Sequence, residues 1–419
     1  MRSRRAFTLS ALLALSFHSP IRAQEWTRFR GPNGTGISHA KNIPTEWKES
    51  DFLWRADLPG TGHSSPVLWG ERVFLTSTAD DKGGMHVLCL NAKDGKQLWR
   101  RNFPHQPFPR HKFNSFASAT PAVDAERLYV VWNVPERYTV MALNHDGKTL
   151  WDADLGPFQS QHGCGTSPVV YEGKVVLGNE QDGPSFITAL DAATGKPRWK
   201  TPRKTAVVAY STPCVYQPKG GAPALIFNSQ GHGIYAVAPA SGKVLWEFAG
   251  AFDKRSVSSP LLAGDILLGT CGSGAGGGFV TAIRAGDAVT GREPQLAYQI
   301  KKAPPYVPTG IVYDDLLWLW SDAGILTCLT AQTGDIRYQE RVGGNFFGSP
   351  VWVDGRLFAV STSGEVVVVE ASARFKVLAR NALNDTCHAT PAVAGGRMFV
   401  RTESRLHCVG GRAVGAPAL

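Results

Sequence analysis

The stretch Ala189-Leu190-Asp191-Ala192-Ala193-Thr194-Gly195-Lys196-Pro197-Arg198-Trp199 constrains this chain most, because it recurs. Its residues read as a strand end, a tight turn and an outer strand carrying one large aromatic. Asp191 can bond back to the turn backbone, and Gly195 can take the left-handed conformation the turn needs. Trp199 offers a broad apolar plate with a polar edge, suited to docking between packed sheets. Copies run from Cys89 through Asp94-Gly95-Lys96 to Trp99, and from Ala142 through Gly147-Lys148 to Trp151. Others run from Ala236 through Gly242-Lys243 to Trp246, and from Cys328 through Gly334-Asp335 to Tyr338. Weaker copies span Ala282 to Tyr298 and Val368 to Leu378. A unit repeated at this period demands a repeat architecture.

Each unit opens on Ser or Thr followed by Pro and a short apolar strand. The openings are Ser65-Pro66, Thr120-Pro121, Ser167-Pro168, Thr212-Pro213, Ser259-Pro260, Ser349-Pro350 and Thr390-Pro391, with Thr309-Gly310 in the same place once. Pro at a strand's first residue costs no ladder hydrogen bond. Each opening leads into four strands over roughly 40 to 50 residues, the size of a propeller blade. The last opening has no Trp strand after it, whereas the first is preceded by a spare one, residues 52–58, with Trp54. The expected fold is therefore all-β. It is an eight-bladed β-propeller of four-stranded antiparallel blades, closed by the N-terminal strand pairing into the last blade. The expected organisation is a signal peptide at 1–23, an N-terminal arm lying on the fold at 24–51, the propeller at 52–409 and a tail at 410–419. Trp54, Trp99, Trp151, Trp199, Trp246 and Tyr338 are the expected blade-docking residues.

Composition narrows the function. Of 419 residues, 43% are hydrophobic and 19% charged, which fits a globular chain. The net charge of +10 includes Arg2, Arg4, Arg5 and Arg22. Without them, 40 basic residues face 34 acidic ones, a surplus too mild and dispersed for nucleic-acid binding. The basic start, the apolar run at 6–17 and Ala23 read as a secretory signal, and Arg4-Arg5 admits the twin-arginine route. An exported, periplasmic or secreted protein is expected, a monomer without a transmembrane segment. Cys89, Cys328 and Cys408 occupy the repeat's alanine position, so they read as small core residues. Among Cys164, Cys214, Cys271 and Cys387 one disulfide is compatible with export, its pairing undetermined.

The motif at 189–199 resembles the tryptophan-docking motif of the bacterial pyrroloquinoline-quinone (PQQ)-like β-propeller repeat proteins. Phe29-Arg30-Gly31-Pro32-Asn33-Gly34 is similar to the lead-in of their secreted members. The resemblance implies a fold, and it implies two branches of function. One branch is the quinoprotein alcohol dehydrogenases, with PQQ and calcium near the axis. The resemblance requires adjacent cysteines there, and this chain has no Cys-Cys pair. The other branch is the non-catalytic scaffold of the outer-membrane β-barrel assembly machinery, whose lipid-bearing signal cysteine is also missing here. The expected role is a non-catalytic binding or scaffold module acting on a protein partner or small ligand at the funnel face. No cofactor is expected. The alternative is a PQQ-dependent alcohol or sugar dehydrogenase with PQQ and calcium.

The loops leading into the first strands and those joining strands two and three share one face, around an axial funnel. Alignment on the repeat Pro places His63, Tyr210, Phe347 and His388 three residues upstream. With His162 and Arg255 they are the candidate ligand-lining residues, and Arg255 suits an anionic ligand. His63 and His388 become neighbours on ring closure and, with Cys387 or His162, form a candidate metal cluster. Residues 179–183 (Asn-Glu-Gln-Asp-Gly) read as a polar surface turn or a calcium site. Residues 271–278 read as a flexible glycine connection, and 103–116 as a long loop covering the funnel. No nucleophile elbow or zinc-protease motif is present.

Overall fold

The computed structural model describes residues 26–78, 83–109, 111, 113–205, 207–274 and 276–410. The expected signal peptide, the tail beyond Gly410, Arg110 and Lys112 lie outside them. The described chain is all-β. Its helical turns are two short 3-10 segments, Pro32–Gly34 and Glu49–Asp51, and no helix among the described residues is long and apolar enough to cross a membrane. Eight sheets of four antiparallel strands form the blades. Blade 1 illustrates the plan: Val67–Trp69, Arg72–Thr78, Met85–Asn91 and Gln97–Phe103. Blade 8 is Ala392–Ala394, Arg397–Arg401 and Arg405–Gly410, and its fourth strand is Phe52–Asp57. Trp54 pairs with Cys408 and Arg55 with His407, so the head of the chain completes the tail's sheet as expected.

The seams explain why the repeat keeps its aromatic. In every blade a β-bulge interrupts the pairing of strands three and four at the docking position. The ring leaves its own blade and lies on the turn of the next. Trp54 Nε1 donates to Ala92 O of blade 1 at 3.0 Å, Trp99 to His145 O at 2.8 Å, Trp151 to Ala192 O at 3.0 Å and Trp199 to Pro239 O at 2.9 Å. Gly195 has φ +72°, and a Cβ there would lie 2.5 Å from the Trp151 ring, so only glycine satisfies both backbone and contact. Cys89, Cys328 and Cys408 pair opposite Trp99, Tyr338 and Trp54 and are fully buried, in the small-residue role. All seven cysteines are buried thiols, and no disulfide forms.

Blade 7 departs from the plan. Val368 pairs with Ala379, so alanine, and not Leu378, stands at the docking position. Trp47 of the arm packs on the same apolar cluster as Ala379. Its backbone N–H donates to Asn381 Oδ1, while Asn381 Nδ2 donates to Thr45 O. The arm thus brings an indole to the seam whose own strand lacks one.

A second set of contacts runs around the axis. The Ser or Thr of each opening accepts, on its Oγ, the backbone N–H of the equivalent residue in the preceding blade. Ser65 donates to Thr120, Thr120 to Ser167, Ser167 to Thr212, and Thr212 to Ser259. Ser259 donates to Thr309, Thr309 to Ser349, Ser349 to Thr390, and Thr390 back to Ser65. This closed circle of eight bonds gives the hydroxyl a role that strand propensity alone does not require.

The arm enters the axis instead of lying on the outside. The backbone carbonyl of Trp26 accepts from Leu68 of blade 1, that of Thr27 from Val123 of blade 2, and that of Gly36 from Trp352 of blade 7. Ile37–Ser38 then pairs parallel to blade 7's first strand. Arg30 is fully buried, and its five donors meet five carbonyls, those of Gly34, Thr35, Thr309, Gly310 and Pro350. Blade 6 has Gly310 where the others have Pro, and a Cβ at Gly310 would lie 2.6 Å from Trp318 O.

Residues 271–278 are not a loose connection. Cys271 to Ser273 and Gly276 to Gly278 lie in the paired strands Ile266–Ser273 and Gly276–Arg284. A Cβ on Gly272 would meet the Tyr306 ring at 2.5 Å, and one on Gly277 the Pro304 carbonyl at 2.1 Å. The glycines let that loop pack close.

Two outcomes test this account by chemical denaturation. Trp54→Ala should lose about 3–5 kcal/mol, the cost of removing a large buried aromatic. Thr309→Val should lose about 1–3 kcal/mol by stranding the Ser259 amide. Equal stability of either variant and wild type contradicts the seam or the circle respectively.

Candidate functional site: the axial funnel

The circle of hydroxyls forms the bottom of a cavity of about 800 Å³ that opens on the face of the leading loops. Phe29 of the arm lies among its lining residues, level with Ser65, Thr120, Ser167, Thr212, Thr309, Ser349 and Thr390. The eight residues three positions before the repeat Pro, or before Gly310, all line this cavity. They are His63, Ser118, Gly165, Tyr210, Val257, Val307, Phe347 and His388. The alignment therefore identifies a geometric ring, held in register by the bonds one step below it.

His63, His162, Tyr210, Arg255 and His388 all face the funnel, as the sequence implies. The structure sorts them into two groups. His63 and His388 stack with centroids 4.5 Å apart, and Phe347 stacks on His388 at 5.3 Å. Elsewhere on the wall His162 lies 4.2 Å from His111 and edge-on to Tyr210 at 6.0 Å. Arg255 Nη1 donates to His162 Nε2 at 3.0 Å, which puts the imidazole proton on Nδ1. The Arg255 guanidinium also lies 5.9 Å from the Tyr210 ring centre. Tyr210 OH is 2.9 Å from Ser160 Oγ.

The metal cluster does not assemble. Cys387 is 1% exposed, and its thiol donates to Arg401 O and Ala389 O. Burial pushes that thiol up to about 12. Among the described residues no three His, Cys, Asp or Glu side chains are placed to share an ion. The 179–183 segment is only in part a surface turn: Asp182 is exposed and Gly183 half-buried, but the residues before them turn inward. Asn179, Glu180 and Gln181 are buried between blades 3 and 4, where Tyr235 OH donates to Glu180 Oε2 at 2.8 Å and Gln181 Nε2 to Pro157 O at 3.0 Å. Burial raises the Glu180 carboxyl above the usual carboxylate range. Polarity alone carried no sign that these side chains point inward.

Two lining residues escaped the sequence reading. Asp322 sits in the loop joining strands two and three of blade 6 and is the one carboxylate among the described lining residues. Its oxygens accept from the Tyr306 and Val307 amides at 2.6 and 3.1 Å. Burial raises its pKa against those bonds. Tyr306, in the loop leading into blade 6, also lines the funnel; burial raises its phenol pKa, against which the nearby Arg255 acts. The shared face of the two loop sets was the available signal, but neither residue belongs to a repeated position.

Burial first, then the Arg255 charge and His111, lower the His162 pKa from 6.5 to about 4. The unfolded chain takes up this proton at higher pH than the folded one, so the group's contribution to stability rises with pH from about 4 to 6.5 and is lost on acidification. In NMR titration the His162 ring should titrate near pH 4 and move upward in Arg255→Gln. Melting temperature should depend less on pH across that window in His162→Gln. A His162 that titrates at its ordinary value contradicts this geometry.

The family model described as outer membrane protein assembly factor BamB matches residues 46–113, 86–340 and 323–411. A 189-residue stretch, 40% of this chain, is 26% identical to polyvinylalcohol dehydrogenase of Pseudomonas sp., but spans only 28% of that protein. BamB from Moraxella catarrhalis superposes with a TM-score of 0.60 at 13% identity, over 87% of this chain and 99% of that one. A europium-containing methanol dehydrogenase superposes at 0.68 and 13% identity, over 92% and 98%. At such identities the structural likeness is one of fold. With the seams, the closure and the family match in agreement, the chain belongs to the PQQ-like β-propeller family whose model bears the BamB description.

Proposed function

We propose that this protein is a non-catalytic binding module of the exported PQQ-like propellers, with the axial funnel as its recognition site. One observation carries the reading. The funnel has the volume of a small-molecule cleft, and imidazoles, aromatic rings, hydroxyls and a guanidinium line it, with one carboxylate, Asp322, among the described lining residues. Calcium takes six to eight oxygen ligands, carboxylates prominent among them. Here Asp322 is the one carboxylate among the described lining residues, and its oxygens accept two backbone amides. The cysteines are separate buried thiols. A single carboxylate and no paired cysteines favour the binding-module reading over PQQ with calcium, and no hydride transfer is derived for these residues.

The module acts as a monomer on a small ligand or on a protein partner that reaches into the funnel mouth. The BamB family description supports a location at or beyond the inner membrane and a partner-binding role. The twin-arginine route remains part of the proposal, on Arg4-Arg5. The second reading, a quinone-dependent dehydrogenase, draws its support from the 26% identity to polyvinylalcohol dehydrogenase.

Incubation with PQQ and calcium, followed by desalting and a dye-reduction assay with alcohols and sugars, separates the two. The expected outcome is no retained quinone absorbance and no dye reduction. Stoichiometric retention with turnover overturns the binding-module reading.

A further inference from the structure

The funnel's chemistry specifies more than a binding site. Among the described lining residues Arg255 is the one guanidinium or ammonium. Among the described residues it makes no ion pair, and its Nε is buried with no hydrogen-bond partner. Its fork bonds to His162 Nε2 and lies over the Tyr210 ring, 5.9 Å from its centre. A planar guanidinium held this way is suited to a carboxylate. Asp322 does not compete for it, because the Tyr306 and Val307 amides occupy its oxygens.

The remaining surface is uncharged and rich in hydrogen-bonding groups. Each lining Ser or Thr of the circle accepts an amide on Oγ and keeps its own O–H to donate. Burial lowers the pKa of His162 and of His388, and each of these imidazoles in its neutral form adds one donor and one acceptor. Around Arg255 the aromatic rings are steeply inclined to one another, whereas His388 and Phe347 stack elsewhere on the wall at 25°. His162 meets Tyr210 at 88°, Phe113 meets Phe347 at 62° and His111 meets His162 at 55°. Rings inclined in this way beside Arg255 offer apolar faces to the C–H groups of a puckered ring.

We infer that the funnel binds a sugar carrying one carboxylate, a uronic acid or the end of a short uronate chain. Its carboxylate lies on Arg255, and its ring lies against Tyr210 and Tyr306. This inference rests on the binding-module reading and names that module's ligand class. The cavity of about 800 Å³ has room for more than one sugar unit.

Calorimetric titration of the whole protein with D-glucuronate, a galacturonate trimer and D-glucose tests it. The uronates should bind at least tenfold more tightly than glucose. Arg255→Gln should bring uronate affinity down to that of glucose, and Arg255→Lys should recover part of it. Melting curves establish that both variants fold. A trimer tighter than the monosaccharide assigns a chain end, and equal affinities assign the free acid. Equal affinity for uronates and glucose, no saturable heat with either uronate, or uronate binding indifferent to Arg255→Gln overturns the inference. The dye assay with PQQ and calcium keeps the two failures apart. Dye turnover removes the binding-module reading itself, whereas absent uronate binding without turnover removes the ligand class alone.

Discussion

Five of the eight blades are held to the next by an aromatic ring that leaves its own sheet, lies on a neighbour's glycine turn and donates to a neighbour's carbonyl. The contact is apolar over its face and polar at its edge, so it buries area and fixes orientation together. It also explains the invariant geometry of the turn, because the ring occupies the volume a Cβ would need at Gly195 or Gly95. Closure depends on the same contact. Trp54, nearly the first described tryptophan, lies between the last blade's Phe399 and the first blade's Gly95. The final seam is therefore made by residues more than three hundred positions apart.

Wedges at the outside leave the inner edges to be matched near the axis. The circle of Ser and Thr hydroxyls does this with one side-chain acceptor per blade. Buried backbone amides at the innermost strand ends face no further strand, and an unpaired amide there is costly. A hydroxyl from the next blade satisfies each. The same residues hold the leading loops, so the position three residues earlier comes to a common height in all eight blades. Packing and site geometry are two consequences of one arrangement.

The arm turns an open ring into a cup. Arg30 spends every donor on carbonyls, which makes a buried guanidinium tolerable without a carboxylate, and burial lowers its pKa to about 9. Arg28 reaches Pro213 O in blade 4 while Asn33 exchanges two hydrogen bonds with Val215. Blades 4, 6 and 7 are thus tied to one short segment, and Phe29 is left at the cavity's base. A funnel with a base confines a ligand, whereas an open channel would not.

The amino-acid order by itself determined the blade count, the strand plan, the docking aromatics and the closure through Trp54. Those features are local in spacing or repeated eight times, so each copy checks the others. It also determined that His63, Tyr210 and His388 share a face, because that follows from the period; His162 and Arg255 lie in the loops leading into the same face, off the repeated position. Tertiary structure decided what is not repeated: the arm's path into the axis, Trp47 at the seam where Ala379 stands, and Asp322 beside Tyr306. It also decided that Cys387 and Glu180 point into the protein and not toward a ligand. A period specifies where a residue sits along its blade, but the direction of a single side chain is set by neighbours from other blades, and no repeat encodes those.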